Sequence, residues 1–155
     1  MAFLCAFAIG IVAGLRSMTA PAAMCWAAHL GWIDLHQSPL AFMGSTWATA
    51  LFSLFAVGEL IADKLPFTPS RLAPGPLGAR IVMGGLSGAA LFAAVGRSLL
   101  AGAVTGGLGG VAGAFMGYHA RRWLTHSMKL PDLVIALIED AIAIGGALFI
   151  LSHVV

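Results

Sequence analysis

The chain has 155 residues, 60% of them hydrophobic and only 9% charged, with a mean hydropathy of +0.98 and a formal net charge of +2. A soluble domain carries about a quarter charged residues, so this composition excludes an ordinary soluble fold and predicts an all-α integral membrane protein, a single transmembrane helical domain over residues 1–155 with the lipid bilayer as its solvent. The small net charge gives no reason to expect nucleic acid as a partner; membrane lipids are the expected surroundings.

Residues 2–30 form the first apolar stretch. As one helix it would be ~43 Å long against a hydrocarbon core of ~30 Å, so it is expected to be tilted or broken. The break signal is residues 14–21, with Thr19 as the N-cap of a restarted helix and Pro21 in its first turn. The opening MAFLCAFAIG has no basic flank and reads as a retained helix rather than a cleavable signal. Cys5 and Cys25 lie in apolar sequence without metal-ligand neighbours and read as packing residues. After the polar loop GWIDLHQSP comes a second span over residues 45–63. The segment KLPFTPSRLAPGPLGAR holds four prolines in seventeen residues and is expected to be no helix interior. A third span covers residues 81–95, ending at Gly96-Arg97-Ser98. A fourth, rich in glycine, covers residues 99–118 and is closed by HARRWLTHSMKLP. A fifth covers residues 133–151. The expectation is therefore about five transmembrane helices, the first of them broken.

With five spans, the loops holding Lys64, Arg71 and Arg80, and Arg121, Arg122 and Lys129, share one side, and only Arg97 falls in a loop on the other. The positive-inside rule then predicts a multi-pass protein of the cell inner membrane with the N-terminus cytoplasmic and the C-terminus outside. His119, Arg121 and Arg122 read as an anchor at anionic headgroups, with lipid or phosphate recognition as the alternative. Trp26, Trp32, Trp47 and Trp123 fit interfacial belts. The remaining histidines receive no role. Gly102, Gly106 and Gly110, then Gly109, Gly113 and Gly117, recur every four residues, as do Gly84 and Gly88. This spacing lets helix backbones approach closely in lipid. GIVAGLR (residues 10–16) is similar to GAFMGYH (113–119), and AVGELIAD (56–63) to ALIEDAIA (136–143). If both matches hold, spans 1–2 and 4–5 form an inverted repeat.

The polar residues inside these segments carry the functional reading. There are six carboxylates in all, and Glu59, Glu139 and Asp140 lie in apolar sequence, as does Arg16. Ionisable groups at membrane depth cost several kcal/mol on insertion scales and persist as internal pairs or as parts of a pathway. Arg16 beside a helix break could form an anion site with Ser17, Thr19 and free backbone N–H groups, or pair with Glu59 or Glu139 and pin the bundle. Glu59 and Asp63 share a helix face, with Asp63 expected as a solvated cap beside Lys64. Glu139 and Asp140 point about 100° apart on a helix and so should serve different partners. Glu59, Glu139 and Asp140 together could hold a hard cation or relay protons. Zinc is disfavoured because no histidine or cysteine stands at ligand spacing, no particular metal is indicated, and no cofactor is expected. No enzyme motif is present: neither Gly-x-Ser-x-Gly, nor His-Glu-x-x-His, nor a nucleotide loop.

The segments GLRSMTAPA, ELIADKLPFTPSR, PGPLGARIVMGGLSGA and LIEDAIAIGGAL together resemble a bacterial family of small polytopic membrane proteins catalogued as domain of unknown function 4126. The resemblance runs over nearly the whole chain. It implies an integral protein of the cytoplasmic membrane and no particular activity. The residues themselves support an expectation of a small transporter or channel-like permease for an ion or small anionic solute, using Arg16, Ser17, Thr19, Glu59, Asp63, Glu139 and Asp140. The alternative is a non-transporting scaffold or accessory subunit whose charges are structural pairs. One subunit makes a thin bundle, which is compatible with a homo-oligomer.

Overall fold

The structure is a computed structural model that describes residues 1–154. Among these are six α-helices and one short 3-10 turn, with no strand. The helices are α1 (Ala2–Leu15), α2 (Thr19–His29), α3 (Thr46–Ala62), α4 (Pro74–Ala94), α5 (Leu99–Ser127) and α6 (Asp132–Ser152), and the 3-10 turn is Ala41–Gly44. Three of them, α4, α5 and α6, are long and apolar enough to cross a membrane; α1 and α3 are shorter apolar helices.

Glycine placement on α5 decides how the long helices meet. Gly102, Gly106 and Gly110 face α4, with Gly106 against Gly84 and Gly88 and Gly110 against the Arg80 carbonyl. Gly109 and Gly113 face α1 instead, against Gly10 and Ile11. The two glycine ridges foreseen in the sequence thus serve two different neighbours, one on each side of α5. Without side chains the backbones come into direct contact, and packing substitutes for hydrophobic contrast. The apolar core lies beside this seam and joins Ile9, Met24, Met43, Leu91, Phe92 and Leu151.

Contact order along the helices fixes their directions. Gly10 meets Gly106 and Gly109, and Gly14 meets Gly110 and Gly113, so α1 runs parallel to α5. Phe3 at the start of α1 packs edge-on against Phe92, 4.9 Å between centroids, and lies under the Arg97 guanidinium. α2 then runs back: Ser17 and Met18 meet Glu59 near the end of α3, and His29 meets Gly44 before its start. Residues 2–30 are therefore a helical hairpin, not one broken span, and this corrects the five-span reading. The chain turns back because Arg16 takes an extended conformation (φ −139°, ψ 105°) and is held by Asp140 on α6, while the two residues after it are claimed by Glu59 on α3. The N-terminus consequently sits at the end of the bundle opposite the loops after α3 and α5, not on their side as the five-span count required.

Other boundaries shift for local reasons. α4 begins at Pro74, seven residues before the expected start, because Pro74 and Pro76 fall in its first turn, where the missing N–H groups have no helical partner anyway. α5 continues through HARRWLTHS to Ser127. Gly31 and Gly96, both at positive φ, end α2 and α4 in matching Schellman turns, with Trp32 N–H on Ala27 O and Arg97 N–H on Phe92 O, each 2.8 Å. Helix direction also undoes the expected inverted repeat. α1 is parallel to α5 while α3 and α6 are antiparallel, with Glu59 near the end of one and Glu139 in the first half of the other, so no single rotation relates both matched pairs.

Gly106→Ala should lower the melting temperature, costing about 1–3 kcal/mol, because its Cβ would fall 2.9 Å from Gly88 Cα, backbone that cannot swing away. Gly58→Ala, with no atom within 4 Å of its Cβ position on α3, should raise stability by about 0.5–1 kcal/mol. Thermal unfolding of the two variants in one detergent checks both signs.

Candidate functional site

Hairpin geometry brings most of the molecule's charge to one place. α1 ends, α2 starts, α3 ends, α4 starts, α5 ends and α6 starts at the same end of the bundle. The hairpin tip does not reach the outermost layer. α5 runs on from Gly117, which touches Leu15, for ten more residues, ~15 Å, and α6 begins about 12 Å above Asp140.

Arg16 lies at the tip and is fully buried (0% exposed). Its Nε donates to Asp140 Oδ1 at 2.7 Å, its Nη1 to Asp63 Oδ2, and its Nη2 lies 3.7 Å from Glu139 Oε2. An unpaired buried guanidinium would be strongly unfavourable, and here the three carboxylates come from other helices, Asp63 from the end of α3 and Glu139 and Asp140 from two turns inside α6. Asp63 is the hub: Arg16, Arg71 (3.5 Å) and Arg121 (3.1 Å) all donate to its Oδ2. Its side chain is 8% exposed, so the expected solvated cap is instead a buried centre. Burial pushes the Asp63 carboxyl up, but the three arginines outweigh it and hold it below the ordinary aspartate range. Glu139 and Asp140 diverge as their 100° separation requires. Glu139 takes both arms of Arg71, while Asp140 takes Arg16 and Lys64 Nζ (2.8 Å). Arg121 closes the outer layer with a two-point grip on Asp132 at 2.9 and 2.7 Å.

Glu59 does something different. It does not touch Arg16. Its Oε1 accepts from Ser17 N–H (2.8 Å) and Ser17 Oγ (2.9 Å), and its Oε2 from Met18 N–H (2.7 Å). The N-cap of α2 is Met18, which has no capping side chain, so a carboxylate from α3 takes that role across the hairpin. Thr19, expected as the cap, is buried in the first turn; its backbone N–H donates to Arg16 O at 3.3 Å, and its side chain makes no hydrogen bond to the charged residues described. The anion-binding groups at the break are thus filled by the protein's own glutamate.

Arg80 completes the tip from below. Buried on α4, it donates to Gly14 O (2.9 Å) and Pro76 O (3.1 Å), a cation on the carbonyl end of α1. Arg71, Arg80 and Arg121 were legible only as basic loop or anchor residues. The signal that could have found them is charge accounting, since the buried carboxylates need more partners than Arg16. Arg16, Lys64, Arg71 and Arg121 pair with Asp63, Asp132, Glu139 and Asp140, while Arg80 and Glu59 serve backbone groups at the hairpin tip, leaving Asp34 as the one carboxylate elsewhere. No group of three or more histidine, cysteine or carboxylate side chains is arranged to hold a metal among the described residues; every carboxylate of the expected cation site faces a basic group or backbone N–H instead.

Above the network opens a cleft of about 740 Å³ whose floor includes Asp63, Arg71 and Arg121 and whose walls come from the segment after α3 and the last turns of α5. The fold and this site define an all-helical apolar bundle with a buried, charge-balanced end. The family model for the domain of unknown function DUF4126 matches residues 3–155, and the chain belongs to that family. No curated protein and no solved structure matches it.

Arg16→Ala and Asp140→Asn should each destabilise by ~3–5 kcal/mol, since each leaves a buried charge without its partner. The double variant should lose less than the sum of the two, as contacting residues do. A thermal or denaturant double-mutant cycle measures this. The acid side has its own signature. Because the Asp63 carboxyl is depressed in the fold, its contribution is fully present above the ordinary aspartate range and is lost as pH falls through its lower folded value. Acidification should therefore lower the melting temperature of the wild-type protein more steeply than that of Asp63→Asn.

Proposed function

We propose that this chain is a small multi-pass transporter or channel-like permease of the cell inner membrane, moving an ion or small anionic solute, with the charged end as its gate. The membrane reading draws on three helices of spanning length and on large apolar side chains left exposed along them, such as Leu100, Leu108, Leu137 and Ile142. Trp26, Trp32 and Trp47 fall toward one end and Trp123 toward the other, and all are at least 43% exposed, as interfacial belts require. The start of α1 and the end of α6 lie at the end opposite the loops carrying Lys64, Arg71 and Lys129. The positive-inside rule then assigns the charged end to the cytoplasm and the termini to the outside.

The observation that carries the transport reading is the α1–α2 hairpin. At 14 and 11 residues its arms are ~21 and ~17 Å long, too short to cross a ~30 Å core. Non-helical backbone at membrane depth is tolerated where it is buried in protein or lines a water-filled space, and broken helices that end near the midplane are how transporters build ion and solute sites. Here such a tip ends under ion pairs that form the floor of an open cleft. In this reading the pairs of Arg16, Arg71 and Arg121 with Asp63 and Glu139 are the closed gate, and Glu59 holds the place of an anion at the tip. The scaffold reading has one observation in its favour: the charges balance, and no fully buried side-chain polar atom among the described residues lacks a partner, as a purely structural lock would have it.

Flux separates the two. Protein in liposomes should carry at least one of chloride, nitrate, acetate and phosphate above protein-free controls. Arg71→Lys, which replaces a two-point grip on Glu139 with one point, should raise that flux by loosening the gate. If neither form carries any of the four anions, and Arg71→Lys changes only stability, the scaffold reading replaces this one.

A further inference from the structure

The cleft above the network contains cationic and hydroxyl groups that the network does not use. Arg71 and Arg121 are engaged by Glu139, Asp132 and Asp63. Arg122 also lines the cleft, yet its guanidinium makes no ion pair or hydrogen bond among the described residues. Tyr118 and His126 stand four residues to either side of it, which puts all three on one face of α5, and all three line the same cleft. The Tyr118 hydroxyl has no partner among the described residues. His126 uses only Nδ1, 2.9 Å from Arg122 O, so Nε2 is available. Ser70, on the facing wall, accepts a long 3.4 Å contact from Leu72 N–H and keeps its own O–H.

We propose that this cleft is a binding site for a phosphate group, held by Arg122 with Tyr118, His126 and Ser70. The charge argument is direct: the lining carries Arg71, Arg121 and Arg122 against Asp63 and Asp132, a surplus of one positive charge at the place where one guanidinium is unpaired. The donor count argues for phosphate over a carboxylate. A planar guanidinium fork, two hydroxyls and an imidazole N–H are more donors than two carboxylate oxygens can accept from one side, and they suit the three or more oxygens of a phosphate. The same chemistry could arrive in two forms. Phe67, between the cleft-lining Pro66 and Thr68, is 92% exposed, and Trp123 beside Arg122 is 59% exposed, so a phospholipid could lay its chains on these residues and its headgroup in the cleft. A soluble phosphate could enter the same space from the aqueous side. The site stands whether or not the chain moves a solute, and its test is binding, not flux.

Two measurements on the full-length protein separate the sources. The first titrates inorganic phosphate into detergent-solubilised protein by calorimetry. The second reads lipid adducts by native mass spectrometry after release from phosphatidylcholine vesicles with or without phosphatidylglycerol. Saturable phosphate binding identifies the soluble form, and selective retention of phosphatidylglycerol the lipid form. In either case Arg122→Ala should weaken the interaction by about tenfold or more, the range of a charge-assisted hydrogen bond, and Tyr118→Phe should weaken it less. Lys129→Ala, at a basic residue outside the cleft, should leave it unchanged. Arg122→Ala should melt as the wild type does, since its guanidinium has no partner to lose. Absence of both kinds of binding, or an Arg122→Ala protein that binds as well as the wild type, overturns the proposal.

Discussion

Burial of a single guanidinium organises one whole end of this molecule. Arg16 has no exposed surface and sits where the chain reverses between α1 and α2. It is kept there by Asp140 from α6 and Asp63 from the end of α3, with Glu139 close by. Those carboxylates in turn engage Arg71, Arg121 and Lys64, so the pairing spreads outward until it meets Asp132 at the rim. Removing any inner member strands the others, because the desolvation already suffered by each charge is offset only by its partners. The network behaves as a unit, and it joins the hairpin to α3, α5 and α6.

Hairpin and network depend on each other through the backbone as well. A chain that turns inside an apolar bundle leaves free N–H groups at the start of the returning helix and free carbonyls at the end of the arriving one. Glu59 satisfies the first set at Ser17 and Met18, and Arg80 the second at Gly14. One anion and one cation thus cap opposing helix ends, in the sense the helix dipole favours. Glycine makes the arrangement sterically possible. Gly14 lies so close to α5 that a Cβ there would stand 2.6 Å from Gly113 Cα, which lets the tip settle deep against the long helix.

The network also shapes the space above it. α5 and α6 rise past the hairpin tip, and the segment after α3 folds over at Arg71 to reach Glu139. The result is a cleft with a floor of paired charges and walls that still hold unpaired ones. Most of the arginine charge at this end is directed inward, and Arg122 is the exception. That division of labour between adjacent residues, Arg121 bound to Asp132 and Asp63 and Arg122 unpaired, follows from the ~100° step along a helix: one faces the network and the other its rim.

The apolar composition and its helix-length segments set the expectation of an all-helical chain, and six helices form. Glycine spacing determined which faces of α4 and α5 would meet, and the carboxylates and Arg16 set in apolar sequence determined which residues to watch. The turn at residues 14–21 was visible too, but its direction was not. A break followed by a new helix reads the same whether the chain continues or doubles back, and only the partners waiting at Arg16 and Ser17 decide. From that one ambiguity came the expectation that the N-terminus shares an end with the loops after α3 and α5, and the expected inverted repeat. The partners of Arg16 were equally hidden. Asp63 is forty-seven residues away and Asp140 one hundred and twenty-four, and pairing across such distances is set by which parts of the helices the fold brings to one level. Local sequence carries the period of a helix and the residues that start and stop it; the direction of each helix and the identity of each ion pair exist only once the helices are packed.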